Sequence, residues 1–166
     1  MYLAYSVLSL IGLLMASPYF LYKAIRHKKY LGSLSQRLGS LPITLNVDAE
    51  PSIWIHAVSV GETRAAQPLV EALRDAWPEH RILLTCTTPT GREAGREVYG
   101  ERVIQAYLPY DYPDAVDRFF RYFSPAFGVL METEIWPNLL AAALRRRVPV
   151  ILANARLSQR SARGYG

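Results

Sequence analysis

The sequence has little of what common active sites are built from. Its single cysteine, Cys86, lies inside an apolar run, so no intramolecular disulfide can form and no cysteine cluster can bind zinc. A reducing compartment is expected. No lysine follows Lys29, which excludes a phosphate loop ending in Gly-Lys-Ser/Thr, and no Gly-x-Gly-x-x-Gly follows any apolar run. There is no Gly-x-Ser-x-Gly, and His27, His56 and His80 are scattered, so neither a serine hydrolase nor a zinc site is supported. Asp-x-Asp is absent too, which removes the usual carboxylate clamp for a metal holding a sugar nucleotide's phosphates.

Charge is missing from residues 2–22, a length close to the ~20 residues that cross a hydrocarbon core. A cleaved signal would carry its positive charge before the apolar run, whereas Lys23, Arg26, Lys28 and Lys29 follow it. The expectation is a membrane anchor, spanning or interfacial, with Pro18 compatible with either a kink or a shallow helix and the following residues on the cytoplasmic face. A second basic cluster, Arg145, Arg146, Arg147, Arg156, Arg160 and Arg163, closes the chain, and the part between is net acidic. Two basic patches suit anionic lipid head groups, while a nucleic-acid partner would need a continuous basic face.

What is present is an ordinary core: 166 residues, half of them apolar, enough for one domain and an appendage. Apolar runs at 53–58, 82–86, 103–108, 127–131 and 148–153 read as strands, and the stretches 63–77, 91–99, 113–123 and 137–146 read as helices. Thr90 is placed as an N-cap, and Pro113 and Pro137 as first-turn residues. The alternation predicts an α/β fold, a Rossmann-like parallel sheet with helices on both faces over residues 51–166. It is preceded by the anchor, 1–22, and a basic juxtamembrane segment, 23–50, in which 31–46 reads as helix and loop and whose role is not legible. The chain ends where a further helix begins, so it is expected to be the N-terminal portion of a longer protein.

The organising stretch is 52–62, an apolar strand that breaks at Ser59 and Gly61 and delivers Glu62 just before a helical pattern. In an open parallel sheet the carboxyl ends of the strands face ligand, so a carboxylate there, beside a glycine giving close backbone access, is a candidate general base. Other polar groups share that rim: Thr87, Thr88 and Thr90; Tyr110 and Asp111; Glu132 and Glu134; Asn154, Arg156 and Ser158. Each has a plainer reading. Glu62, Glu132 and Glu134 also suit a helix's first turn, where the dipole favours acids, and Asn154 and Ser158 suit turns or caps. Arg145 to Arg147 fits a solvated helix end, His56 and Trp54 fit the core, and Trp136 fits either core or loop.

Four segments, 59–62, 108–111, 131–138 and 154–158, resemble in order and spacing the bacterial 3-deoxy-D-manno-octulosonic acid (Kdo) transferases of lipopolysaccharide assembly. The resemblance implies the N-terminal, acceptor-side half of a GT-B glycosyltransferase. Such enzymes move Kdo from CMP-Kdo to the lipid A precursor (lipid IVA) at the cytoplasmic face of the inner membrane, with inversion, no metal and no other cofactor. It assigns Glu62 as general base and Glu132 as a second acid near the transition state. Ser59, Gly61, Glu134, Asn154, Arg156 and Ser158 are implied on the substrate side. CMP-Kdo contacts would belong to a C-terminal domain absent from this sequence, leaving this chain alone inactive. The competing expectation is a non-catalytic, membrane-bound lipid-binding or scaffolding module.

Overall fold

The computed structural model describes residues 31–42, 45, 50–132 and 134–155, with isolated positions 5, 7, 8, 11, 12, 15, 18 and 19. The expected anchor and its basic flank, 23–29, fall largely outside the described residues, as do Arg156 and Ser158. Among the described residues no helix is long and apolar enough to cross a membrane.

The elements are α1 (Leu31–Arg37), β1 (Ser52–His56), α2 (Val60–Ala65), α3 (Gln67–Ala76), β2 (Arg81–Cys86), α4 (Pro89–Tyr99), β3 (Ile104–Tyr107), α5 (Pro113–Phe123), β4 (Pro125–Met131), α6 (Pro137–Arg145) and β5 (Val150–Ala153). The five strands form one sheet in the order β3-β2-β1-β4-β5, every pair parallel. After β3 the chain returns past β1, so the direction of winding reverses. Because parallel crossovers share one hand, that reversal sends later helices to the opposite face.

Two apolar layers result. Ile53, Ile55, Ile82, Leu84 and Val129 pack under α2, α3 and α4 with Ala66, Val70, Leu73 and Tyr99. On the other face Trp54, Leu83 and Leu130 meet Val116, Phe119, Phe120 and Phe123 of α5 and Leu139, Ala142 and Ala143 of α6. Strand β1 is buried along its whole length, as expected of a central strand covered on both faces. Arg146, at the end of α6, reaches Asp117 on α5 at 2.6 Å, and Arg121 makes a second ion pair with the same carboxylate. These arginines hold the Asp117 carboxyl below its usual range.

Two helix boundaries differ from the sequence expectation. The single helix over 63–77 is two, broken at Ala66 because Pro68 cannot continue the ladder of the preceding turn. The N-cap of α4 is Thr88 rather than Thr90: its hydroxyl accepts from Gly91 N at 3.0 Å, and Pro89 takes the first helical position.

His56 is the core histidine that an apolar strand suggests. Its Nδ1–H is shared between the Thr85 carbonyl and hydroxyl oxygens at 3.2 and 3.0 Å, and Nε2 is buried without a partner. Burial lowers its pKa to about 4, against a smaller upward pull from the Thr85 backbone. Between pH 6.5 and 4 the unfolded chain therefore takes up a proton that the folded one does not. This contribution is complete above pH 6.5 and lost as pH falls towards 4. Denaturant midpoints should register the loss, on the order of 3 kcal/mol, in the wild type. They should register little of it in His56→Asn, whose amide replaces the Nδ1 contact without titrating.

Candidate functional site

The strand order puts the reversal of winding between β1 and β4, and the crevice of an open α/β sheet lies there, outside the carboxyl ends. Glu62 follows β1 and Glu132 follows β4. The last rung joining these strands pairs His56 with Leu130, so Val58 and Glu132 each lie two residues beyond it. Val58 N donates to Glu62 Oε2 at 2.9 Å, which ties the Glu62 carboxylate to the backbone just past the end of β1.

Glu62 is not ahead of the helix, as the sequence suggests, but inside its first turn. Ser59 caps α2, accepting from Glu62 N at 3.2 Å, while the Glu62 carboxylate reaches back to the amide before the cap. This is a reciprocal arrangement of the capping-box kind. Among the described residues one carboxylate oxygen is thus engaged, and no other hydrogen bond fixes the second. The side chain is largely buried yet sits under exposed Ser59 and Gly61. A Cβ at Gly61 would meet only Ser59 Oγ, at 3.8 Å, so the protein itself does not require glycine there. At Gly91 the reverse holds: a Cβ would lie 2.7 Å from the Val58 carbonyl oxygen. Glycine lets the start of α4 abut the end of β1, where Thr88 Oγ1 also donates to the Val58 carbonyl at 3.1 Å. Tyr99 adds a support from the far end of α4, its hydroxyl donating to the Thr63 carbonyl of α2.

Glu132 has a left-handed backbone, φ +61, and its N–H donates to the Ala153 carbonyl at 2.8 Å. Asn154, the residue after β5, is left-handed as well, φ +55. Asparagine adopts that region readily, whereas for glutamate it is strained by roughly 1 kcal/mol or more. Strain of this kind concentrates where a side chain must be aimed, and here it re-aims the chain at a rim already holding Glu62. Glu134 accepts from Trp136 Nε1 at 3.0 Å, so these two residues brace the loop into α6.

Asp111 is engaged by the fold. Its two carboxylate oxygens accept from Asn138 N at 3.1 Å and Leu139 N at 2.8 Å, and its carbonyl accepts from Asn138 Nδ2. Asp111 thus caps α6 from 27 residues away, since Trp136, the adjacent residue, offers no side-chain cap.

Sequence reasoning passed over two further residues on this rim. Arg37, buried at the end of α1, donates to the Thr87 carbonyl and to Ser33 Oγ, and its guanidinium lies 4.6 Å from the Tyr107 ring centroid. Arg92, in α4, stands 4.8 Å from the same ring. A guanidinium over a ring gains about 0.5–2 kcal/mol, less than the several kcal/mol needed to hold an unpaired charge away from water. Arg92, one residue after the capped Gly91, was discernible as a helix-start cation; nothing local flagged Arg37.

Asn154 shares the rim with Glu62, Ser59, Gly61, Glu132 and Glu134, whereas Arg156 and Ser158 lie outside the described residues. Among the described residues no group of three or more His, Cys, Asp or Glu side chains is placed to hold a metal ion.

Residues 32–166 match a family model described as 3-deoxy-D-manno-octulosonic-acid transferase (kdotransferase). A 3-deoxy-D-manno-octulosonic acid transferase of Haemophilus influenzae is 41% identical over 145 residues, covering 86% of this chain and 33% of the relative. One of Bordetella pertussis is 50% identical over 119 residues, 69% of this chain and 27% of the relative. A probable mitochondrial one of Arabidopsis thaliana is 38% identical over 109 residues, 66% and 24% respectively. The chain therefore spans about a quarter to a third of the length of these curated relatives.

Proposed function

Because the chain belongs to the 3-deoxy-D-manno-octulosonic-acid (Kdo) transferase family, we propose that it is the acceptor-side half of an inverting GT-B glycosyltransferase. The reaction is transfer of Kdo from CMP-Kdo to the lipid A precursor, lipid IVA, without metal or other cofactor, at the cytoplasmic face of the inner membrane. CMP-Kdo is held by a C-terminal domain outside this sequence. The observation that carries the reading is that Glu62 and Glu132 follow the carboxyl ends of two adjoining strands, β1 and β4, at the point where the winding reverses.

In this reading Glu62 takes the proton from the attacking sugar hydroxyl as the new bond to Kdo forms, its carboxylate aimed by Val58 N. Glu132 faces positive charge that develops on the donor sugar. Ser59 positions Glu62 through the helix start, and Gly61 leaves room for the acceptor's approach. Glu134 holds the loop, and Asn154, with Arg156 and Ser158 beyond it, completes the acceptor side. Exposed Val7, Leu8, Ile11, Met15 and Tyr19 agree with an N-terminal segment that meets anionic inner-membrane lipid.

One observation favours the plainer reading, a non-catalytic lipid-binding module: the Glu62 carboxylate already has a structural partner. The full-length protein, incubated with labelled CMP-Kdo and lipid IVA in the presence of chelator, separates the two. Transfer is expected, and absence of product after metal is restored would leave only the module. Gly61→Ala sharpens the test. Stability should hold or rise by about 0.5–1 kcal/mol, because alanine is the better helix residue. Transfer should fall, because the methyl group occupies the approach to Glu62. Unchanged kcat and KM would remove Gly61 from the acceptor side.

A further inference from the structure

Two guanidiniums are gathered at one ring on the carboxyl rim, and neither has a carboxylate among the described residues: the ion pairs there involve Arg81, Arg121, Arg146 and His80. Arg37 is buried and fixed by the Thr87 carbonyl and Ser33. Arg92 is half-buried, and its Nε–H is buried with no acceptor among the described residues. A second tyrosine ring, Tyr110, has its centroid 5.7 Å from the Arg37 guanidinium, so that cation meets two aromatic rings. A buried N–H without an acceptor and a buried cation without a counter-charge are each unfavourable, and an anion reaching this edge of the Tyr107 ring relieves both.

The surroundings concentrate positive potential at the end of β2. Arg92 and Arg37 both favour the thiolate of Cys86, although burial outweighs them and raises that thiol's pKa to about 11. The cysteine is thus a neutral floor rather than a counter-charge. Pro89 and the Thr88 cap direct the start of α4 towards the same rim, and Gly91, next to Arg92, rests on the Val58 carbonyl. Val58 in turn aims the Glu62 carboxylate.

We propose that Arg37 and Arg92, set about the Tyr107 ring, form a subsite for a phosphomonoester dianion beside the Glu62 crevice. Two forked guanidiniums match two negative charges and several acceptor oxygens, whereas a carboxylate would neutralise only one of them. A phosphate bound there belongs to the molecule whose hydroxyl faces Glu62; this attribution rests on the transferase reading above, while the anion site itself does not.

Arg92→Gln in the full-length protein is the informative variant, because Arg37 also holds the Thr87 carbonyl. With the phosphorylated lipid acceptor, KM should rise about tenfold or more, and with the same lipid stripped by phosphatase it should match the wild type. Arg92→Lys should recover part of the loss, and thermal midpoints should agree among all three. Inorganic phosphate alone, titrated by calorimetry, gives a readout that does not depend on transfer: the wild type binds it more tightly than Arg92→Gln. If that difference appears while the two acceptors behave alike, the subsite takes free phosphate rather than the acceptor's. Equal phosphate binding by wild type and variant, with no discrimination between acceptors, overturns the proposal.

Discussion

Glu62→Gln in the full-length enzyme is expected to lower Kdo transfer by about 10² or more, with thermal stability and CMP-Kdo binding close to the wild type. Glutamine is chosen on structural grounds. Its amide oxygen can still accept from Val58 N, and the cap tolerates Gln as well as Glu at this position. The variant therefore removes basicity and leaves the helix start in place. Alanine would confound the two, since loss of a cap contact by itself costs about 0.5–2 kcal/mol. Initial rates at saturating acceptor are the measurement. Near-normal turnover would strike Glu62 from the chemistry and leave it as a capping residue. Companion rates for Glu132→Gln test the second acid, and its folding should be largely retained because the backbone bond from Glu132 N to Ala153 does not involve the side chain.

The largest effect on stability is expected from Trp54→Ala, about 3–5 kcal/mol by denaturant unfolding. Trp54 is fully buried in the central strand, meets Phe119 and Phe120 edge-on at 5.5 and 5.7 Å, and donates from Nε1 to Thr85 Oγ1 at 2.8 Å. Truncation opens a cavity between β1 and α5 and removes a donor from a threonine that also serves His56. A loss of that size is a large share of the ~5–15 kcal/mol that holds an ordinary domain together. A change below about 1 kcal/mol would mean that α5 collapses onto the sheet without its central ring.

Much of this arrangement could be read from the residues, for reasons that differ by element. The five strands stand out as short apolar runs between helical stretches, β1 most clearly because it is central, covered on both faces and needs no polar alternation, whereas the edge strand β5 leaves Ile151 and Leu152 exposed. Pro113 and Pro137 mark the starts of α5 and α6 because a first-turn amide has no intrahelical partner to lose. Thr88 was missed in favour of Thr90 because the two are equivalent by composition, and the choice fell to the Val58 carbonyl, a contact 30 residues distant. α1 falls in the stretch that reads as helix and loop, but its role was illegible for the same reason: Gln36 Oε1 accepts from Tyr107 N and the Arg37 carbonyl accepts from Tyr110 N, partners far along the chain.

The candidate site divides along the same line. Local sequence placed Glu62 at the end of β1 and Glu132 at the end of β4, because each acid follows an apolar run that must terminate at a rim. That β4 lies against β1 rather than beyond β3 is a property of the strand order, and only this adjacency sets the two acids just past the ends of neighbouring strands. Likewise, nothing local says that Asp111 serves α6 or that Arg37 and Arg92 share Tyr107; those partners meet because separate crossovers return to one edge of the sheet. Periodicity and turn chemistry act over a few residues and so were written in the sequence. Strand order, remote capping and the pairing of distant charges depend on how whole layers pack, and the tertiary structure alone decided them.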